Sequence, residues 1–190
     1  GISAGDLFAA QREVTRWEQW YPFWAKRGDE YEALGREAVA RGRRLSAGEL
    51  FWQACMAYHY AQFVWFHDPP TRDAGQRRKV ELYREAAPFF DPPAERFDLP
   101  FDGFTIAGYL RVPRGGAGRA PVVVLLGGLE STKEESYLFE NLCLRRGMAT
   151  CAFDGPGQGE MYFQVKLRGD FNRFTSAVVD WLATRPEVDT

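Results

Sequence analysis

Two short apolar runs, PVVVLL (121–126) and MATCAFD (148–154), each end in a glycine turn: GGLE after the first, GPGQGE around the end of the second. No other feature restricts the fold as much. A continuous apolar run bounded by turn residues reads as a parallel strand covered on both faces. Between the runs, from about Lys133 to Arg146, Leu138, Leu142 and Arg145 fall at helical spacing. A second helix is expected from about Asp170 to Ala183, with Phe174, Val178, Trp181 and Leu182 on one side. RPEVDT (185–190) then reads as the approach to another strand. Strand, helix, strand, helix is the rhythm of an α/β sheet with right-handed crossovers. Upstream, RFDLPF and FTIAGYLRVP flank Asp102-Gly103, a strong hairpin signal. RGGAGRA (114–120) reads as a glycine-rich surface loop. Two core strands and a hairpin would leave an open inner edge, so more chain is expected after Thr190.

The first ninety residues have a different texture. Asp29 can cap a helix that presents Tyr31, Leu34, Ala38 and Val39 on one face and closes at Arg41-Gly42-Arg43. SAGE (46–49) has the form of a capping box for a helix running to about Phe66. Leu50, Ala54, Ala57, Tyr58, Ala61, Val64 and Trp65 form its stripe, widened by Phe51, Cys55 and Phe63, so it should be buried on most sides. HDPP (67–70) stops it. Another helix is expected from near Ala74 to before Pro88, with Val80, Tyr83 and Ala87 inward, and one from about Asp6 to Trp20, broken by Pro22. The shift at DPPAERFDLP (91–100) divides the chain into an all-helical domain, 1–95, and the first part of an α/β domain, 96–190.

Twenty-four basic and 26 acidic residues give a net charge of −2, so nothing argues for nucleic acid. No apolar run is long enough for a membrane span. Cys55, Cys143 and Cys151 match no zinc spacing and sit in apolar stretches, so they read as reduced, buried and cytoplasmic. No metal or cofactor is called for.

The glycines at 127–128 could serve a phosphate, an oxyanion or a plain turn. A P-loop needs glycine at 132 and a hydroxyl at 134; Thr132 and Glu134 stand there, and Glu130, Glu134 and Glu135 would repel phosphate. GPGQG (155–159) fits a dinucleotide turn poorly, because its third glycine comes one residue early and Pro156 lacks a donor. In α/β-hydrolases the loop after the third strand supplies one backbone N–H to the oxyanion hole, and an Asp-x-x-Gly-x-Gly turn follows the fourth. Gly127-Gly128-Leu129 and FDGPGQGE occupy those places. The residues alone leave the oxyanion and the plain-turn readings open.

GGLESTKEES, RGMAT, FDGPGQGE and TSAVVD, with YEALG, AYHYAQF, FHDP and APFFDPPAER upstream, resemble the 2,6-dihydroxypseudooxynicotine hydrolase-like α/β-hydrolase family over about Trp20 to Asp180. More remotely the pattern looks like the fermentation-respiration switch hydrolases and the fungal pigment chain-shortening hydrolases. The resemblance implies a serine-type enzyme that hydrolyses a carbon–carbon bond in a 1,3-diketone-like aromatic substrate. It also implies that the helical domain covers the site and supports a homodimer. The family's serine elbow is absent here: no Gly-x-Ser-x-Gly occurs, and the only histidines are His59 and His67. The 190 residues alone are therefore expected to be inactive. An esterase or peptidase on the same scaffold, and a non-catalytic helical interaction module, are the alternatives.

Carried onto this sequence, the backbone N–H groups of Gly128 and Leu129 are the expected oxyanion donors. Glu130 is expected to tie down the loop and border the substrate, Ser131 and Thr132 to cap the following helix, and Asp154 to fix its turn by hydrogen bonds. His59 and Phe63 are candidates for the substrate-binding wall, although a lone histidine on so apolar a helix also fits a core position. Trp52 and Trp65 are core first and pocket wall second, and His67-Asp68 fits a C-terminal cap pair.

Overall fold

The computed structural model describes residues 1–115 and 118–190, so the middle of the expected RGGAGRA loop lies outside the described residues. The chain forms two compact units, Gly1–Asp91 and Pro92–Thr190.

The first unit is helical: α1 (Ala4–Glu13), α2 (Trp20–Ala40), α3 (Arg44–Gln62) and α4 (Pro69–Ala86). α2 starts nine residues before Asp29. Pro22 does not break it, because it falls in the first turn, where a missing N–H has no intrahelical partner to lose. Asp29 is therefore mid-helix and accepts a 2.6 Å hydrogen bond from the Tyr58 hydroxyl. Leu34 and Val39 are exposed; the buried face carries Trp24, Gly28, Gly35 and Ala38. Gly28 and Gly35 lie two turns apart, and a Cβ on them would meet the Tyr58 and Phe51 rings at 2.6 and 2.9 Å, so these glycines allow α2 to lie close on α3.

α3 is buried on most sides, as its stripe predicts. It begins at Arg44 with Ser46 already inside, so SAGE is not its cap. It ends at Gln62 rather than near Phe66, because Val64 takes a left-handed φ of 54°, which turns the chain out of the helix. Asp68 caps not the end of α3 but the start of α4, accepting from the Thr71 N–H at 3.2 Å. Pro69 and Pro70 then open α4 five residues before the expected Ala74.

The second unit is a five-stranded sheet in the order β1-β2-β4-β3-β5: β1 (Glu95–Phe101), β2 (Phe104–Arg111), β3 (Ala120–Leu126), β4 (Ala149–Phe153) and β5 (Val188–Asp189). The hairpin turns at Asp102 and Gly103, with φ of 53° and 80°. β2 pairs antiparallel with β4, β3 parallel with β4 and β5, so the sheet is mixed. β4 is fully buried, whereas Val122–Leu125 of β3 are only half-buried. β5 pairs only with Ala120 and Pro121, so among the described residues the rest of that β3 edge carries no strand.

α6 (Phe171–Ala183) packs Phe174, Val178 and Leu182 into the core, as expected. The helix expected at 133–146 divides into a 3₁₀ turn, Lys133–Ser136, and α5 (Tyr137–Leu144). Its inward face is Tyr137, Glu140, Cys143 and Leu144; Leu138 and Leu142 are exposed. Arg111 on β2 accounts for the difference, because its buried guanidinium bonds Glu140 at 3.2 Å, Asn141 at 2.9 Å and the Pro92 carbonyl at 3.0 Å. The three cysteines are buried and form no disulfide. Among the described residues no helix is long and apolar enough to cross a membrane.

Gly108 on β2 lies opposite Phe97 on β1, whose ring covers it. A Cβ there would sit 2.2 Å from that ring and 2.9 Å from the Ala152 carbonyl oxygen. Gly108→Ala is expected to cost about 1–3 kcal/mol of stability in urea unfolding, because the backbone contact cannot yield.

Candidate active-site loop

Parallel pairing brings the ends of β3 and β4 side by side, with Leu126 opposite Phe153. The loops 127–132 and 154–160 are therefore neighbours, although more than twenty residues separate them in sequence.

Gly127 is required by packing: a Cβ would fall 2.5 Å from Ser131 Cβ and 2.9 Å from its backbone carbon. Gly128, Leu129 and Glu130 are exposed, Leu129 to 69%. Among the described residues, the Gly128 and Leu129 N–H groups donate to no acceptor. Glu130 makes no hydrogen bond or ion pair there and does not hold the loop. Gln158 does: its Nε2 donates to the Gly127 carbonyl at 3.0 Å and also to the Gly128 carbonyl. Thr132, not Ser131, starts the next turn, its N–H donating to the Glu135 carboxylate at 2.8 Å.

Beneath the loop lies a buried ionic cluster. Lys133 Nζ is 2.6 Å from Asp154, 2.7 Å from Glu134 and 2.8 Å from Glu160. Asp154 is fully buried and also accepts from the Lys133 and Glu160 backbone N–H groups, each at 3.0 Å, so it fixes its turn as expected. Gly159, with φ of 42°, makes room for it; a Cβ would stand 2.0 Å from Asp154 Oδ2. Arg96 on β1 grips Glu160 with two bonds, 2.8 and 3.0 Å. Oxygens of Glu134, Asp154 and Glu160 lie within 4.8 Å of one another, close enough to hold a metal ion, but the Lys133 ammonium occupies that centre. Burial alone would lower the Lys133 pKa; the three carboxylates outweigh it and hold the ammonium well above its ordinary value. Burial likewise would raise Glu160, but Lys133 and Arg96 draw its carboxyl down to about 2. Lys133 is thus sequestered and is no phosphate ligand.

His59 and Phe63 belong to the helical unit. His59 is buried, its ring 5.7 Å from that of Phe63 and 6.0 Å from that of Tyr60. Phe63 is the half-buried residue that ends α3. Gly128, Leu129 and Glu130 lie together on one exposed loop of the sheet unit. Sequence reading missed Gln158 and the role of Lys133. The available signal was a lysine and a glutamine, each beside a strand-ending glycine turn.

A mixed sheet with parallel β3 and β4, each ending in a glycine turn, is the architecture of an α/β-hydrolase. The chain belongs to the Esterase FrsA-like family, whose sequence pattern matches residues 14–190. It is 50% identical over 185 residues to 2,6-dihydropseudooxynicotine hydrolase of Paenarthrobacter nicotinovorans, covering 96% of this chain and 48% of that protein. It is 31% identical over 183 residues to 20-hydroxy-prefusarin hydrolase of Gibberella moniliformis, covering 90% of this chain and 44% of that one. The crystal structure of the 2,6-dihydroxy-pseudo-oxynicotine hydrolase superposes with a TM-score of 0.89 at 46% identity, over all of this chain and 53% of that one. The chain spans about half the length of the curated relatives it matches.

Proposed function

We propose that the whole protein hydrolyses a carbon–carbon bond next to a carbonyl in a 1,3-diketone-like aromatic substrate, and that the 127–129 loop supplies oxyanion donors. The observation that carries this reading is the pair of unpartnered N–H groups, Gly128 and Leu129, exposed where β3 ends. A serine, or a water it activates, adds to the carbonyl carbon. The carbonyl oxygen takes the resulting negative charge and rests against these N–H groups. The carbonyl re-forms as the C–C bond breaks, leaving a carboxylic acid where water added or an acyl-serine that water then hydrolyses. The departing carbon leaves as a carbanion stabilised by the second carbonyl and takes up the proton that the attacking nucleophile gave to the histidine. The nucleophile and its histidine and acid would come from the part of the relatives' length that this chain does not span, since no Gly-x-Ser-x-Gly occurs in it. The 50% identity to 2,6-dihydropseudooxynicotine hydrolase supports the substrate class.

An ester-cleaving activity at the same loop is the second reading, favoured by the family's description. Incubating the full-length protein with aryl 1,3-diketones and with simple acyl esters separates the two. Turnover of the diketones is expected; turnover of esters alone would sink the C–C reading. Failure of both, with no labelling by a fluorophosphonate, would sink the serine-hydrolase mechanism.

A further inference from the structure

Gln158 is buried, and its backbone is held in a tight turn: its N–H donates to the Gly155 carbonyl and its carbonyl accepts from the Tyr162 N–H, both at 3.0 Å. Its Oε1 accepts from the Gly155 N–H at 3.0 Å. That contact fixes which way the amide faces, because an N–H must meet the oxygen. Nε2 is left with two hydrogens, and two carbonyls, Gly127 and Gly128, converge on it. Both amide hydrogens and one lone pair of the oxygen are used.

The consequence for the loop follows from peptide geometry. In a trans peptide the C=O of one residue and the N–H of the next lie in one plane and point in opposite directions. With the Gly127 and Gly128 carbonyls both turned inward to Gln158, the N–H groups of Gly128 and Leu129 must both turn outward. Two successive N–H groups aimed the same way form a concave site for an anion. We infer that Gln158 is a positioning residue that holds the peptides of the 127–129 loop so that both donors face a developing oxyanion. This rests on the oxyanion reading above; the geometric part does not.

The test uses Gln158→Glu and Gln158→Leu in the full-length protein. Glutamate keeps the acceptor for Gly155 but sets an oxygen against two carbonyl oxygens. Leucine removes all three bonds. Crystal structures of the variants are expected to show the 127–129 peptides rotated while β3 and β4 superpose on the parent. Turnover of an aryl 1,3-diketone, or of a simple acyl ester where that is the substrate, is expected to lose kcat by about 10- to 100-fold in both, with KM within about 3-fold. A merely structural role would lower the melting temperature and leave kcat of the folded enzyme unchanged. A loop unmoved in both variants, or a kcat equal to that of the parent, overturns the inference. A parent protein without turnover or fluorophosphonate labelling overturns the oxyanion reading instead, and the loop conformation in the variants still decides whether Gln158 positions it.

Discussion

Replacing Lys133 with methionine is expected to cost about 3–5 kcal/mol, on the order of 10 °C in melting temperature for a domain of this size. The expectation rests on what stays behind. Glu134 and Asp154 are fully buried and Glu160 nearly so, and each now sits within 2.8 Å of one ammonium. Methionine fills similar volume but leaves three carboxylates facing each other, with Arg96 bonded to Glu160. The pH dependence supplies the sharper check. Glu160 has a folded pKa depressed to about 2, so its contribution is complete above the unfolded value of about 4.3 and is lost as pH falls through its folded value. Lys133 is raised, so its contribution is present below about 10.4 and is lost as pH rises through its folded value. In Lys133→Met the remaining carboxylates gain from protonation, so the gap to the parent should narrow between pH 7.5 and pH 5. Urea unfolding at the two values measures it. A gap of under 1 kcal/mol, or one that widens on acidification, would mean that Lys133 is not the counter-ion of the cluster.

Local pattern revealed most of the sheet unit. PVVVLL, MATCAFD and the Asp102-Gly103 hairpin are strands and a turn, because each segment's own apolar content and turn residues decide its shape. Misreadings arose where a distant partner decides. Leu138 and Leu142 marked the helical spacing of α5 but not its inward face, which Arg111 on β2 sets by bonding Glu140 and Asn141. Pro22 suggested a break, yet its place in the first turn of α2 is set by where Trp20 begins the helix. The loop after β3 was legible as a glycine turn with candidate donors, but the residue that holds it was not. Glu130 is adjacent in sequence and free of the loop's bonds; Gln158 is thirty residues away and makes them. Only the β3–β4 register, with Leu126 opposite Phe153, brings the two turns together.

Leu129→Pro is expected to lower kcat by about 10²–10³-fold, or roughly 2.7–4 kcal/mol of transition-state stabilisation, with KM within about 3-fold. Proline has no N–H, so the substitution deletes one of the two outward donors. Its fixed φ also restricts Gly128 before it, a position where glycine tolerates the constraint. Leu129 is 69% exposed and its N–H bonds to nothing among the described residues, so folding loses little and the melting temperature should move by only about 2–3 °C. The control is Leu129→Ala, which removes the side chain and keeps the N–H; it should retain kcat within about 3-fold. The contrast separates the amide from the leucine side chain, which could otherwise act by touching an aromatic substrate. If the proline and alanine variants lose kcat equally, the contribution belongs to the side chain, and the backbone at Leu129 is not an oxyanion donor. If proline alone is impaired and the loss lies in kcat, the donor acts on charge that develops only as the carbonyl is attacked.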